Sequence, residues 1–270
     1  MELPNFLATL ETIAPLALAE DWDNVGLLLA PTTPRPIQRV LLTIDLTAAV
    51  ADEAIEHGCE AIVAYHPPIF GGLKRIVAED RTGGILLQLL AKNVSIYSPH
   101  TALDAVQGGV NDWLARAFGD SALRPIHPTG ARVQQPDNLA VGQGRHLTLN
   151  QPIAVEDALV QVKQHLQLDK LRVAIADRHA RGERLQTVAL CAGAGGSVLK
   201  GQQVDLLFTG EMRHHDVLAA REEGTSVILT EHSNSERGYL PQLKQLLENT
   251  IEEPLHVLLS QQDRDPLEIR

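Results

Sequence analysis

Short apolar runs alternate with stretches of helical periodicity along almost the whole of this sequence. Arg39-Val-Leu-Leu-Thr-Ile-Asp45 reads as a buried strand, as do Ala61 to Tyr65 and Val94 to Tyr97. Between them, Thr47 to His57 and Gly84 to Asn93 carry helical patterning, with Thr47 as N-cap and Gly58 as the C′ residue of the first. Asn5 to Ile13 reads as an amphipathic helix, and Asp104 to Phe118 as another. A β-α-β-α rhythm of this kind implies a largely parallel sheet with helices on its faces.

Ser121 to Asp137 breaks the rhythm. It contains Pro125, Pro128 and Pro136 and reads as a linker or extended crossing. Strands are then expected at Leu139 to Leu149, Leu171 to Ala176, Thr187 to Cys191, Val204 to Phe208, Ser226 to Leu229 and His256 to Leu259. Helices are expected at Ala154 to Leu166, Met212 to Glu223 and Ser235 to Glu248, and His179 to Glu183 reads as a charged loop. With 270 residues there is room for one large domain or two ordinary ones. Hydrophobic residues are 44 % but aromatics only 3 %, so Leu, Val, Ile and Ala must fill the core.

Histidines and carboxylates follow three of the strand-like runs. His66, in Tyr65-His66-Pro67-Pro68, comes directly after one; the prolines hold the chain extended there. His100 and Asp104 follow a second, four residues apart. His232 and Glu236 follow a third; in a helix that spacing puts both on one face. Ligands in open α/β sheets bind beyond the carboxyl ends of strands. The three groups are therefore candidates for one or two metal ions. Each also has a purely structural explanation. His66 can be a satisfied structural histidine, Asp104 an N-cap, and Glu236 a partner of the helix dipole. His214 and His215, in Gly210-Glu-Met-Arg-His-His-Asp216, are candidate ligands or acid/base groups, or solvated first-turn residues. Gly193-Ala-Gly-Gly196 could cradle a phosphate, but it lacks the Lys-Ser/Thr of a P-loop and reads rather as a tight turn. Asp21-Trp-Asp-Asn-Val-Gly26 reads as a turn before a strand.

Net charge narrows the partners. At −11 the chain is a poor candidate for a nucleic-acid binder, which needs clustered Lys and Arg. Cys59 and Cys191 sit in apolar context and read as buried thiols, too few for a disulfide framework or a Cys-rich zinc site. No run reaches the roughly 18 apolar residues of a membrane span, and the first residues lack a basic, apolar leader; a soluble cytoplasmic protein is expected.

DWDNVGLL, YHPPIF, SPHTALDAVQGGVNDWLA, GEMRHHDVLAA and EHSNSERGYL occur in that order. Together they resemble the Nif-three-like family, also known as GTP cyclohydrolase I type 2 homologues, from about residue 3 to the end. The resemblance implies an α/β fold of two lobes, each with a central sheet flanked by helices. Residues 1–125 form the first, completed by 231–270, and 126–230 the second. It implies a ring of six subunits and two divalent metals held by a His-His pair, an Asp, a His and a bridging Glu. The matching positions are Tyr65 and His66, then Asp104, His232 and Glu236. Tyr65 stands where many bacterial members have His. The Tyr-His-Pro-Pro form and GEMRHHD resemble the eukaryotic-type subgroup instead. A phenol with a pKa of about 10 is a weaker ligand than imidazole, so one of the two metals is left weaker, lost, or completed by another group such as His215.

The implied reaction is hydrolysis at C8 of the guanine ring of GTP with release of formate. The expected metal set is His66, Asp104, His232 and Glu236, with Tyr65, His100 and His215 as catalytic candidates. Zinc, manganese and iron all suit nitrogen and oxygen donors. The competing expectation is a metal-binding interaction or regulatory protein without turnover, because a fold does not establish a reaction.

Overall fold

The computed structural model describes residues 1–119, 121–129 and 140–267. The fold is α/β, with two sheets of five and six strands flanked by helices. The chain divides into two compact units, residues 1–103 with 239–270, and residues 104–238.

In the first unit, β2 (Arg39–Thr43), β3 (Ala61–Ala64), β4 (Ser95–Ser98) and β11 (His256–Leu259) run parallel, in the order β4-β3-β2-β11. The strand β1 (Gly26–Leu29) closes the β4 edge antiparallel, with Gly26 opposite Ser98. The three central strands are buried almost throughout, as strands covered on both faces are. Leu41, Ile62 and Ile96 lie side by side in register. They share a core with Val50, Ala51 and Ala54 of α2 (Ala48–Glu56) and Ile85, Leu86 and Leu89 of α3 (Arg81–Ala91). The two-residue period turns Val40 and Leu42 to the other face, where α9 (Leu240–Thr250) packs on β2 and β11 and meets α1 (Leu3–Ile13). Truncating a fully buried member such as Ile62 to Ala costs about 2–5 kcal/mol. The expected ends of α2 hold. The Thr47 hydroxyl accepts a hydrogen bond from Val50 N at 3.3 Å, and Gly58, at φ +66°, lets Cys59 N reach Ala54 O at 2.9 Å.

The second unit departs from the parallel expectation. Its sheet has the order β5 (Ser121–Pro128), β6 (Gly142–Ile153), β8 (Leu185–Cys191), β9 (Leu206–Thr209), β10 (Ser226–Leu229), β7 (Arg172–Ala174). Only β8-β9 and β9-β10 are parallel pairs; β5-β6, β6-β8 and β10-β7 are antiparallel. The helices are α5 (Val110–Ala115), α6 (Val155–Leu166), the short α7 (Asp177–Ala180) and α8 (His214–Glu222). The first eight residues of the expected linker are strand β5. It lies at the sheet edge, where a proline that cannot donate to a ladder is tolerated. Residues 130–137 of that linker, and Leu139 of the next expected strand, lie outside the described residues.

Two further expectations need correction. The single helix expected over 104–118 is two: α4 (His100–Ala105) ends before Gly108-Gly109, and Gly108 at φ +74° turns the chain into α5. Asp104 is therefore inside the last turn of α4 and not an N-cap. The helix expected from Ser235 starts at Leu240, with Pro241 in its first turn. Residues 233–239 form two successive 3-10 turns instead.

Candidate metal centre

In the first unit the site residues gather beyond the carboxyl ends of β2, β3 and β4. Tyr65 and His66 extend β3, their N–H groups donating to Thr43 O and Ile44 O at 2.9 and 3.0 Å. That continuation of the ladder fixes where the His66 ring leaves the sheet. Its Nδ1 lies 3.0 Å from Oδ1 of Asp45, which follows β2. His100 follows β4, and its Nδ1 lies 2.8 Å from Oδ1 of Asp23. The other oxygen of Asp23 accepts from Thr101 N at 3.1 Å and from the Thr101 hydroxyl. Burial alone would raise the Asp23 pKa, but the hydrogen bonds from His100 and Thr101 outweigh it and hold the carboxyl below its ordinary range. The buried Tyr65 ring sits 5.1 Å from the His66 ring and 5.5 Å from that of His100, and the two imidazoles are 5.4 Å apart, centroid to centroid. A hollow of about 130 Å³, lined by Asp45, His66, Pro67, Arg81 and Thr82, opens beside them. It has room for a few water molecules.

The second unit repeats the plan on its three parallel strands. Gly193 follows β8, Glu211 follows β9 and His232 follows β10. His232 Nδ1 lies 2.8 Å from Glu211 Oε1, and its Nε2 lies 3.4 Å from Oε1 of Glu236. The pairing of His232 with Glu236 holds although the segment between them is 3-10 turn and not the expected α-helix. Gly193 is packed against this pair. A Cβ there would come within 2.6 Å of Glu236 Oε1 and 2.8 Å of His232 Nε2. The Ser235 hydroxyl fixes the arrangement, accepting from Gly193 N at 2.8 Å and donating to His232 O at 2.6 Å. The glycine-rich turn is thus a floor for two candidate ligands.

Backbone conformation marks the same places. Among the described residues, four non-glycines have positive φ: Asn93, His100, Gln167 and Glu231. Asn93 and Gln167 follow helix ends, where the left-handed region is common. His100 at φ +31° and Glu231 at φ +66° have no such excuse, and both lie at the candidate ligand loops.

Of the expected site residues, the structure brings Tyr65, His66 and His100 together in the first unit, and His232 with Glu236 in the second. Asp104 is buried four residues after His100 in α4, and its carbonyl accepts from Asn111 Nδ2 at 3.1 Å. His215 is exposed on the first turn of α8 with its ring against that of His214. The residues missed in the sequence are the carboxylates Asp45, Asp23 and Glu211 and the floor residue Gly193. Each carboxylate lies in a motif or at a strand end already singled out, so the signal was present.

His66, His232 and Glu236 each offer one donor atom of the kind that holds a metal ion. In His66, His100 and His232 a carboxylate lies against Nδ1, which leaves Nε2 as the nitrogen turned away from that carboxylate. A carboxylate behind the ring is the usual support of a metal-ligating imidazole. Strand-end histidines so supported, on two α/β units, define a protein built to present imidazole and carboxylate donors. The chain belongs to the NIF3 family. Residues 1–266 match the family described as Duf34/NIF3 (NGG1p interacting factor 3). The Protein NIF3 homolog of Schizosaccharomyces pombe is 43 % identical over 95 % of this chain and 94 % of its own. NIF3-like protein 1 of Drosophila melanogaster is 42 % identical over 96 % of this chain and 86 % of its own. Among solved structures, Staphylococcus aureus protein SA1388 aligns with a TM-score of 0.84 at 24 % identity, covering 100 % of this chain and 99 % of the other.

Proposed function

We propose that this chain is a divalent-metal-dependent hydrolase of a nucleotide or related small molecule, of the GTP cyclohydrolase I type 2 kind. The observation that carries the reading is the repeated carboxylate–Nδ1 support: Asp45 on His66, Asp23 on His100, Glu211 on His232. Metal sites and general-base histidines need this support, whereas a solvated surface histidine does not. His66, Asp104, His232 and Glu236 are the proposed ligands, and the family resemblance supports joining them. A bound divalent ion would supply Lewis-acid activation of water at neutral pH. His100 is the proposed proton carrier: Asp23 keeps its Nδ1–H oriented, so Nε2 is the atom that accepts and later returns a proton. Tyr65, whose buried ring packs against both imidazoles, stays a catalytic candidate through its phenol. His215 stays a candidate for completing a weakened metal position.

Zinc, manganese and iron remain the candidate metals, and one or two ions the candidate number. The Tyr-His-Pro-Pro subgroup, a six-subunit ring and a cytoplasmic setting belong to the same proposal. They rest on the resemblance and on the 42–43 % identity to two eukaryotic relatives. No described helix is long and apolar enough to cross a membrane.

The second reading is a metal-binding interaction or regulatory protein without turnover. It is favoured by the family description itself, an NGG1p interacting factor. One experiment separates the two: formate release from GTP by wild-type and Glu236→Gln protein, each assayed for metal content and reloaded with zinc, manganese or iron. Metal-dependent release lost in Glu236→Gln supports the hydrolase. Bound metal with no release from GTP or from other nucleotides supports the interaction reading.

A further inference from the structure

Two large aromatic side chains in the first unit stand in solvent beside the candidate site. Trp22 is 61 % exposed and Phe70 58 % exposed, in a protein where only 3 % of residues are aromatic. Their centroids are 6.0 Å apart with planes at 68°. The His100 ring lies 6.1 Å from Trp22 at 78° and 6.3 Å from Phe70 at 80°. Three rings at near right angles form an open corner. The corner is held in place before any ligand arrives. The Asn24 side-chain amide donates to Ile69 O, tying the Trp22 turn to the Phe70 segment, and Asp23 fixes both His100 and Thr101. Exposed aromatic rings this costly to hydrate, pre-positioned next to an oriented imidazole, need a reason.

We propose that Trp22 and Phe70 form the seat for a planar heteroaromatic ring of the substrate, stacked face-on against one of them with its edge toward Nε2 of His100. The exposed π-faces supply sequence-tolerant stacking of the kind that holds nucleobases. The imidazole supplies the polar edge contact: with Nδ1–H turned to Asp23, Nε2 is a hydrogen-bond acceptor for a ring N–H or exocyclic amine. That acceptor argues against the other common occupant of an aromatic corner, a quaternary ammonium, which has no N–H to offer. The inference deepens the hydrolase reading by naming the substrate class, and it depends on that reading only for turnover, not for binding.

The test is equilibrium binding of guanosine and adenosine to the full chain, metal-loaded and metal-stripped. Trp113, the other of the two tryptophans, is buried, so fluorescence quenching on titration reports on Trp22. Saturable quenching is expected in both metal states. Calorimetry should show binding weakened roughly 5- to 150-fold in Trp22→Ala and in Phe70→Ala, and largely restored in Trp22→Phe. Metal content and circular dichroism should stay at wild-type values in all three. Binding within twofold of wild type in Trp22→Ala, absence of saturable binding by any purine nucleoside, or displacement by tetramethylammonium would overturn the proposal. So would a change in oligomeric mass on Trp22→Ala, which would make these rings an interface between copies. If turnover fails while nucleoside binding to Trp22 and Phe70 stands, the hydrolase reading falls and this one survives. If turnover and metal binding persist but Trp22→Ala leaves KM unchanged, the reverse holds.

Discussion

Glu211 Oε1 and His232 Nδ1 are 2.8 Å apart, and on the far side of the same ring Nε2 faces Glu236. One carboxylate therefore sets the tautomer that makes the other ring nitrogen available. Both side chains of the pair are partly solvated, so the contact adds little to stability on its own. Its consequence is for ligation. Glu211→Ala should lower metal affinity by roughly 10- to 100-fold with an unchanged unfolding midpoint of the metal-free protein. Competition with a chelator of known affinity measures the first quantity and chemical denaturation the second. Unchanged affinity would remove Glu211 from the support of this site.

Gly193→Ala should damage the same site from below. The residue has φ +58°, and an added methyl would sit 2.6 Å from Glu236 Oε1 and 2.8 Å from His232 Nε2. Neither partner can yield freely. Glu236 is 2 % exposed, and His232 is gripped by Glu211. Metal content after purification should drop well below wild type while the circular dichroism spectrum is retained. A variant that loads metal normally would show that the His232–Glu236 pair is not where the ion goes.

The alternation of apolar runs and helices makes the first unit legible, because β2, β3 and β4 are parallel and buried almost throughout. The second unit was less readable for a specific reason. A proline-rich edge strand, Ser121–Pro128, looks like a linker when only its composition is considered, yet an edge position removes the penalty that composition implies. Asp104 is a candidate ligand whose structural alternative, an N-cap, depends on a helix starting at 104; α4 starts at His100 instead, so of the two only the ligand role is left open to it. The candidate ligands themselves were legible from strand-end placement. What could not be read was which carboxylate stands behind which histidine. Asp23 and His100 are 77 residues apart, and only the antiparallel pairing of β1 with β4 brings them together.

Arg145 is a structural keystone of the second unit. Its buried guanidinium donates to the carbonyls of Gly142, Gly144, Ala105 and Val106 and to the Asp112 carboxylate. Asp112 in turn accepts from Gly108 N at 2.6 Å. This one side chain ties the α4–α5 turn to β6. Arg145→Met keeps most of the volume but strands several buried acceptors and an uncompensated carboxylate. A loss of about 3–5 kcal/mol of stability is expected, measured by urea unfolding. A loss under about 1 kcal/mol would mean that water reaches these carbonyls.

Asp205 gives a pH signature. Burial would raise its pKa, but N–H donors from Gln186 and Thr187 (2.8 Å each), the Thr187 hydroxyl (3.0 Å) and Arg178 Nη2 (2.6 Å) outweigh that and lower it in the folded state. A folded pKa below the unfolded one means the folded state favours the ionised form. Its stabilising contribution is complete above the ordinary aspartate pKa of about 3.9 and is lost as pH falls through the depressed folded value. Asp205→Asn should therefore cost about 2–3 kcal/mol near neutral pH, since Asn keeps one acceptor oxygen but loses the charge that Arg178 faces. Below pH 3.9 the gap between the two proteins should narrow, because the wild type loses its carboxylate while the variant has none to lose. Urea unfolding of both proteins at pH 7 and across the acid range reads this directly, and a gap that stays constant into the acid range would show that the four donors, not the charge, carry the interaction.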